Sequence, residues 1–240
     1  MKKNIAMRVA AILFILTMIS TCAFSTTFAK YVTSDEATDT ARVAKWGVKV
    51  NVSSDSMYDS TYKADDTSFT LTENTVVSSD GDLLVAPGTK GSLTHLTLTG
   101  TPEVAVKITY VSTFNLNNWI TVDQDDDTGT AEVLYCPIIF TVKYGDGAET
   151  KFNGLDYNSA DALKVAIENH INSQTTSYAA NADLKDADEF VISWAWAFTG
   201  NTGSVVSQTD AFDTALGDAA VNTNAPEIDF TLEVTVTQID

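Results

Sequence analysis

Ile228-Asp229-Phe230-Thr231-Leu232-Glu233-Val234-Thr235-Val236-Thr237 alternates a large apolar residue with a polar one at every step. Successive side chains of a strand point to opposite faces, so this period of two makes a ribbon with one dry face and one wet face. Wound as a helix, the same residues would scatter the apolar groups around the whole circumference. A strand wet on one side belongs in an antiparallel sheet, because strands of parallel sheets are covered on both faces and read as continuous apolar runs.

Outward from this segment the pattern recurs. Phe190, Ile192, Trp194, Trp196 and Phe198 fall on one face, with Val191, Ser193, Ala195 and Ala197 behind them. Val104, Val106, Ile108 and Tyr110 stand opposite Lys107 and Thr109, and Trp46, Val48, Val50 and Val52 stand opposite Lys45, Gly47, Lys49 and Asn51. Further strands are predicted at 69–71, 92–98, 119–122 and 136–144, where Thr, Val and aromatic residues suit a pleated surface. Turns are predicted at Ala86-Pro87-Gly88, Gly100-Thr101-Pro102 and Gly145-Asp146-Gly147. Helices are few. Ser159 can cap one in which Leu163, Ala166, Ile167, His170 and Ile171 form an apolar stripe, and a second is predicted from Asp210 to Leu216, stopped by Gly217. The pattern implies an all-β fold, a two-sheet antiparallel sandwich of jelly-roll type with one or two inserted helices.

The chain has 240 residues, with 14 Lys plus Arg against 32 Asp plus Glu, a net charge of -18. No basic cluster relieves that field beyond the first residues, which argues against nucleic acid or an anionic membrane surface as partner. Hydrophobic residues make up 44%, too many for a disordered chain. Lys2, Lys3 and Arg8 precede an apolar run from Val9 to Phe24, and Thr27-Phe28-Ala29 supplies small residues at the -3 and -1 positions. This is the layout of a secretory signal peptide, cleaved between Ala29 and Lys30, with no membrane attachment afterwards. The run is short for a hydrocarbon core about 30 Å thick. The expected parts are a signal peptide (1–29), an N-terminal arm (30–42) and one β-sandwich domain (43–240). Cleavage removes three cations and no acid, which takes the net charge from -18 to -21. It also removes Cys22 and leaves Cys136 alone among apolar neighbours, where a buried, inert thiol is expected.

The chemistry of sites is sparse. The two histidines, His95 and His170, lie on different elements, and H-E-x-x-H, G-x-S-x-G, P-loop and C-x-x-C motifs are all missing. No pair of carboxylates is singled out for glycoside hydrolysis. Asp123, Asp125 and Asp127 alternate in an acidic loop, which reads either as a weak calcium site or as a solvated hairpin. A calcium loop of EF type would place Gly one position earlier and Glu where Leu134 stands. No other cofactor is expected. The polar stretch from Lys30 to Arg42 reads either as a frayed leader or as a detachable strand that could add to the sheet edge of a neighbour, with Tyr31 and Val32 seating in the groove.

Ala29-Lys30-Tyr31-Val32-Thr33-Ser34, followed by Thr40-Ala41-Arg42-Val43-Ala44-Lys45-Trp46-Gly47-Val48, resembles proteins with a SipW-type signal peptide, the TasA/camelysin family of Gram-positive bacteria. Ala86-Pro87-Gly88-Thr89-Lys90-Gly91-Ser92, Ile192-Ser193-Trp194-Ala195-Trp196-Ala197-Phe198 with Asp213-Thr214-Ala215-Leu216-Gly217, and the closing Val234-Thr235-Val236-Thr237-Gln238-Ile239-Asp240 match in order. The resemblance implies processing by a SipW-type signal peptidase, a jelly-roll domain, and secretion to the cell surface or extracellular matrix. In the TasA branch it implies biofilm fibres in which each subunit donates its N-terminal strand to the next copy, with an accessory protein anchoring the fibre. Two other readings stand beside it. One is a camelysin-like surface metalloprotease, for which no zinc motif is present. The other is a monomeric cell-surface domain that binds carbohydrate through Trp194 and Trp196.

Overall fold

The structure is a computed structural model that describes residues 12–15, 42–53, 55–63, 75–123, 132–184, 189–221 and 225–239. The chain divides into two units, Met1–Lys45 and Trp46–Asp240. Of the first, residues 12–15 form a helical turn and residues 42–45 have no regular structure. No helix among the described residues is long and apolar enough to cross a membrane.

The second unit holds two main sheets. The larger runs in the order β1 (Lys49–Val52), β4 (Lys90–Thr99), β11 (Phe190–Trp196), β8 (Ile138–Tyr144), β9 (Thr150–Asn153). The smaller runs β10 (Thr175–Tyr178), β5 (Val106–Asn117), β12 (Glu227–Gln238). Every pairing in both is antiparallel. Two short ribbons complete the set, β2 (Thr61–Tyr62) with β3 (Val76–Val77) and β6 (Thr121–Val122) with β7 (Val133–Leu134). The chain shuttles between the main sheets from β4 to β5, back to β8, and again through β10, β11 and β12. Neighbours in a sheet are therefore mostly distant in sequence, as a jelly-roll-type sandwich requires.

The core forms where the two period-two patterns meet. Leu96 and Leu98 of β4, Phe190, Ile192, Trp194 and Trp196 of β11, and Ile138, Phe140 and Val142 of β8 are buried on the inner face of the large sheet. Val106, Ile108, Tyr110, Phe114 and Leu116 of β5 oppose them. Edge-to-face pairs bridge the sheets, Phe114 on Phe140 and Tyr110 on Phe190, each with ring centroids 5.0 Å apart. At one end the strap 57–62 lays Tyr58 and Tyr62 on Trp194, whose Nε1 donates to the Met57 carbonyl at 2.9 Å.

Helix α1 (Ala160–Asn172) starts at Ser159, whose hydroxyl accepts from the Ala162 amide at 3.2 Å, and buries Leu163, Ile167 and Ile171. Helix α2 (Asp210–Ala219) starts at Thr209 and passes through Gly217, so that glycine is no stop signal. Three further expectations fail at element ends. The alternation from Trp46 does not begin a strand, because Gly47 takes φ +58° and pairing starts at Lys49. Strand β11 ends at Trp196, and Phe198 lies out in the following turn, 73% exposed. Of 119–122, only Thr121–Val122 is strand. The strand predicted at 69–71 lies outside the described residues.

Candidate functional site

Strand β12 is twelve residues long and lies at the margin of its sheet: β5 is its one strand neighbour among the described residues. Its register along β5 is unbroken, from Glu227 opposite Asn117 to Gln238 opposite Val106. The Ile239 amide donates to the Ala105 carbonyl at 2.9 Å. In an antiparallel ladder a residue's N–H and C=O point the same way and alternate along the strand. Odd-numbered positions of β12 thus face β5, and the amides of Ile228, Leu232, Val234 and Val236 face away from it. The same side chains sit half-buried on the inner face, while Glu227, Asp229, Thr231, Glu233, Thr235 and Thr237 are exposed on the outer one.

The far side of β5 is treated differently. Strand β10 pairs with its first residues, Val106 to Thr109. Beyond them, side chains of α1 replace a strand: Asn172 Oδ1 accepts from the Ser112 amide at 2.7 Å and its hydroxyl at 3.0 Å, and Glu168 Oε1 accepts from the Phe114 amide at 2.8 Å. Lys164 Nζ donates to Asn115 Oδ1 at 2.8 Å and lies 3.9 Å from Glu168 Oε1. Helix α1 also packs on β9, with the His170 ring on Phe152 at 5.5 Å. It therefore bridges one margin of each sheet and closes that side of the sandwich. The other margins, β1 and β12, lie on the opposite side. There Val50, paired with the buried Leu98 and so on the inner face, is 41% exposed.

The residues singled out for chemistry fall elsewhere. Ala29, Lys30, Tyr31 and Val32 lie outside the described residues, as do Asp125 and Asp127. Asp123 is exposed at the end of β6. Among the described residues no three His, Cys, Asp or Glu side chains are grouped to hold a metal ion. Cys136 is fully buried, and burial pushes its thiol up to about 12. His170 is held below the usual imidazole range by partial desolvation. Trp194 and Trp196 are 1% and 5% exposed, inside the core and away from any sugar. Asp213 accepts from Tyr135 Oη at 2.6 Å and Gln208 Nε2 at 2.8 Å, tying α2 to the loop before it.

The sequence reading missed the edge of β12 and the capping side chains of α1. The length of the alternating run was the available signal for the first. Nothing in the helix marks Glu168 and Asn172 as partners of a distant strand. No family model, no curated protein and no solved structure matches the chain.

Proposed function

We propose that this chain is a secreted structural subunit of an extracellular or biofilm matrix fibre, as in the TasA branch of the family it resembles. The subunit would polymerise head to tail by donating residues 30–42 to the sheet of the next copy. The observation that supports this reading is that β12, twelve residues long, has β5 as its one strand neighbour among the described residues. Long edge strands are templates for another chain, and soluble proteins ordinarily shorten, bulge or cover them. Backbone hydrogen bonds would supply the affinity of an added strand. A contact between an arm on one copy and an edge on the next is heterologous and does not close, so it yields filaments. A SipW-type signal peptidase would free the arm at Lys30, and calcium, if the 123–127 loop takes it, would only relieve repulsion there.

Negative-stain electron microscopy of a chain beginning at Lys30, beside one beginning at Val43, from about pH 4.5 to about pH 8, tests the reading. Fibres from the longer chain alone are expected. Monodisperse particles from both under every condition would refute it.

A further inference from the structure

We infer that Lys164 and Asn115 are the two halves of an intramolecular isopeptide bond, which the chain forms on itself and which fastens α1 covalently to β5. The bond does not depend on the fibre reading. Lys164 Nζ donates to Asn115 Oδ1 at 2.8 Å, which places the amine within about 4 Å of the amide carbon, a C=O being about 1.23 Å long. Glu168 Oε1 stands 3.9 Å from the same nitrogen. It is pinned there by the amide of Phe114, the residue before Asn115, at 2.8 Å. An amine, a side-chain amide and a carboxyl are the groups that aminolysis of an amide needs. Here a helix and a strand bring them together, with 49 residues between amine and amide positions.

The same geometry is a poor one for a simple ion pair. Lysine followed by glutamate four residues later is the weaker order on a helix. A charge-assisted hydrogen bond closes to about 2.7–2.9 Å. Here 3.9 Å separates the charged groups, and the amine is turned to the neutral amide instead. Asp229, across the ladder from Asn115, accepts from Asn117 Nδ2 at 2.8 Å, so Glu168 is the carboxyl turned to the pair. The Lys164 and Glu168 side chains are 33% and 19% exposed, and α1 keeps most bulk water from the amide carbon. Held in this way, the two groups meet as parts of one molecule, at an effective concentration far above any that free solutes reach.

The step balances without a co-reactant. One proton passes from the Lys164 ammonium to the Glu168 carboxylate. The freed lone pair on Nζ attacks Asn115 Cγ, and the π pair of the carbonyl moves onto Oδ1. Glu168 gives its proton to Nδ2 and takes the surplus proton from Nζ. The pair on Oδ1 then reforms the carbonyl, the Cγ–Nδ2 bond breaks, and ammonia leaves, carrying off the last proton as ammonium. An amide now joins Nζ to Cγ, Glu168 is a carboxylate again, and the protein has lost one positive charge. Escape of the ammonia makes the bond permanent. In a subunit processed as proposed, Cys136 is the one cysteine left, and this bond supplies the covalent tie that a disulfide would.

Peptide mapping of the purified protein by mass spectrometry is the test. Trypsin should fail to cut after Lys164 and should yield residues 108–143 joined to residues 152–185, lighter by one ammonia than the two together. Fragmentation of the branched peptide should place the link between Asn115 and Lys164, which separates it from a succinimide at Asn115 with the same loss of mass. Lys164→Arg and Asn115→Ala should give separate peptides only. Glu168→Gln keeps an oxygen for the Phe114 amide and removes the proton carrier, so soon after synthesis the linked peptide should fall by about 100-fold. A wild-type chain cut cleanly into 152–164 and 165–185, with Asn115 unaltered, would overturn the bond. Linking undiminished in Glu168→Gln would overturn the role given to Glu168.

Discussion

Asn172→Ala is the most informative single change on the closed side of the sandwich. Asn172 Oδ1 accepts both the amide and the hydroxyl of Ser112, which is 5% exposed. Truncation leaves a buried N–H without its acceptor, at about 1–3 kcal/mol, and strands the hydroxyl as well. The expected loss is about 2–4 kcal/mol, equivalent to roughly 4–16 °C in melting temperature for a domain of this size. Urea unfolding followed by tryptophan fluorescence measures it, provided the slope of the transition is unchanged. Adding Ser112→Ala should recover about 1 kcal/mol, the hydroxyl's share, because the orphaned amide persists in the double variant. A loss below about 0.5 kcal/mol would refute the reasoning, since it would mean that water already reaches the β5 edge beneath α1.

Other consequences can be checked the same way. Cys136, with its thiol pushed up to about 12 and no exposed surface, should resist alkylation in the folded protein at mildly alkaline pH and react at once in denaturant. His170 binds its proton less readily folded than unfolded, so stability should fall as pH drops through about 6.5. A His170→Gln variant should show a shallower fall over that window, and identical profiles would rule the histidine out. Gly91→Ala would drive a methyl into the Met57 carbonyl and against Trp194 Nε1, so it should displace the 57–62 strap and shift tryptophan emission to the red. If the chain is processed at Lys30 and assembles as proposed, its net charge of -21 should make acidification or added salt promote fibres. Equal assembly at low salt and about pH 8 would contradict that.

The elements themselves were legible where side-chain period and burial agree. Strand β12 declares itself because every second residue from Ile228 to Val236 is apolar, and Ser159 marks the start of α1 because its hydroxyl is the first acceptor the helix needs. The misreadings share a cause. At Gly47, Gly217 and Phe198 a local signal was extended past the point where tertiary contacts decide. Gly47 turns left-handed against Gly100, where a side chain would collide with the Gly47 carbonyl oxygen. Gly217 stays helical because α2 is held by Thr209 and the Tyr135–Asp213 bond at its start, not released at its end. The site was less legible still. Which edge of β5 is covered by a helix depends on where α1 packs, and that is set by Asn172 and Glu168 meeting backbone amides 60 and 54 residues away.

On the proposed fibre reading, the seating of α1 would also govern what kind of material such subunits make. A subunit with one donating and one receiving surface would be bifunctional, and bifunctional monomers grow only into unbranched threads. Were the helix to lift from β5, the amides of Ser112 and Phe114 would become an uncovered strand edge, and on that reading each such subunit would be a branch point. A small fraction of them turns a suspension of threads into a gel. On that reading, three hydrogen bonds to two side chains would separate a linear polymer from a network.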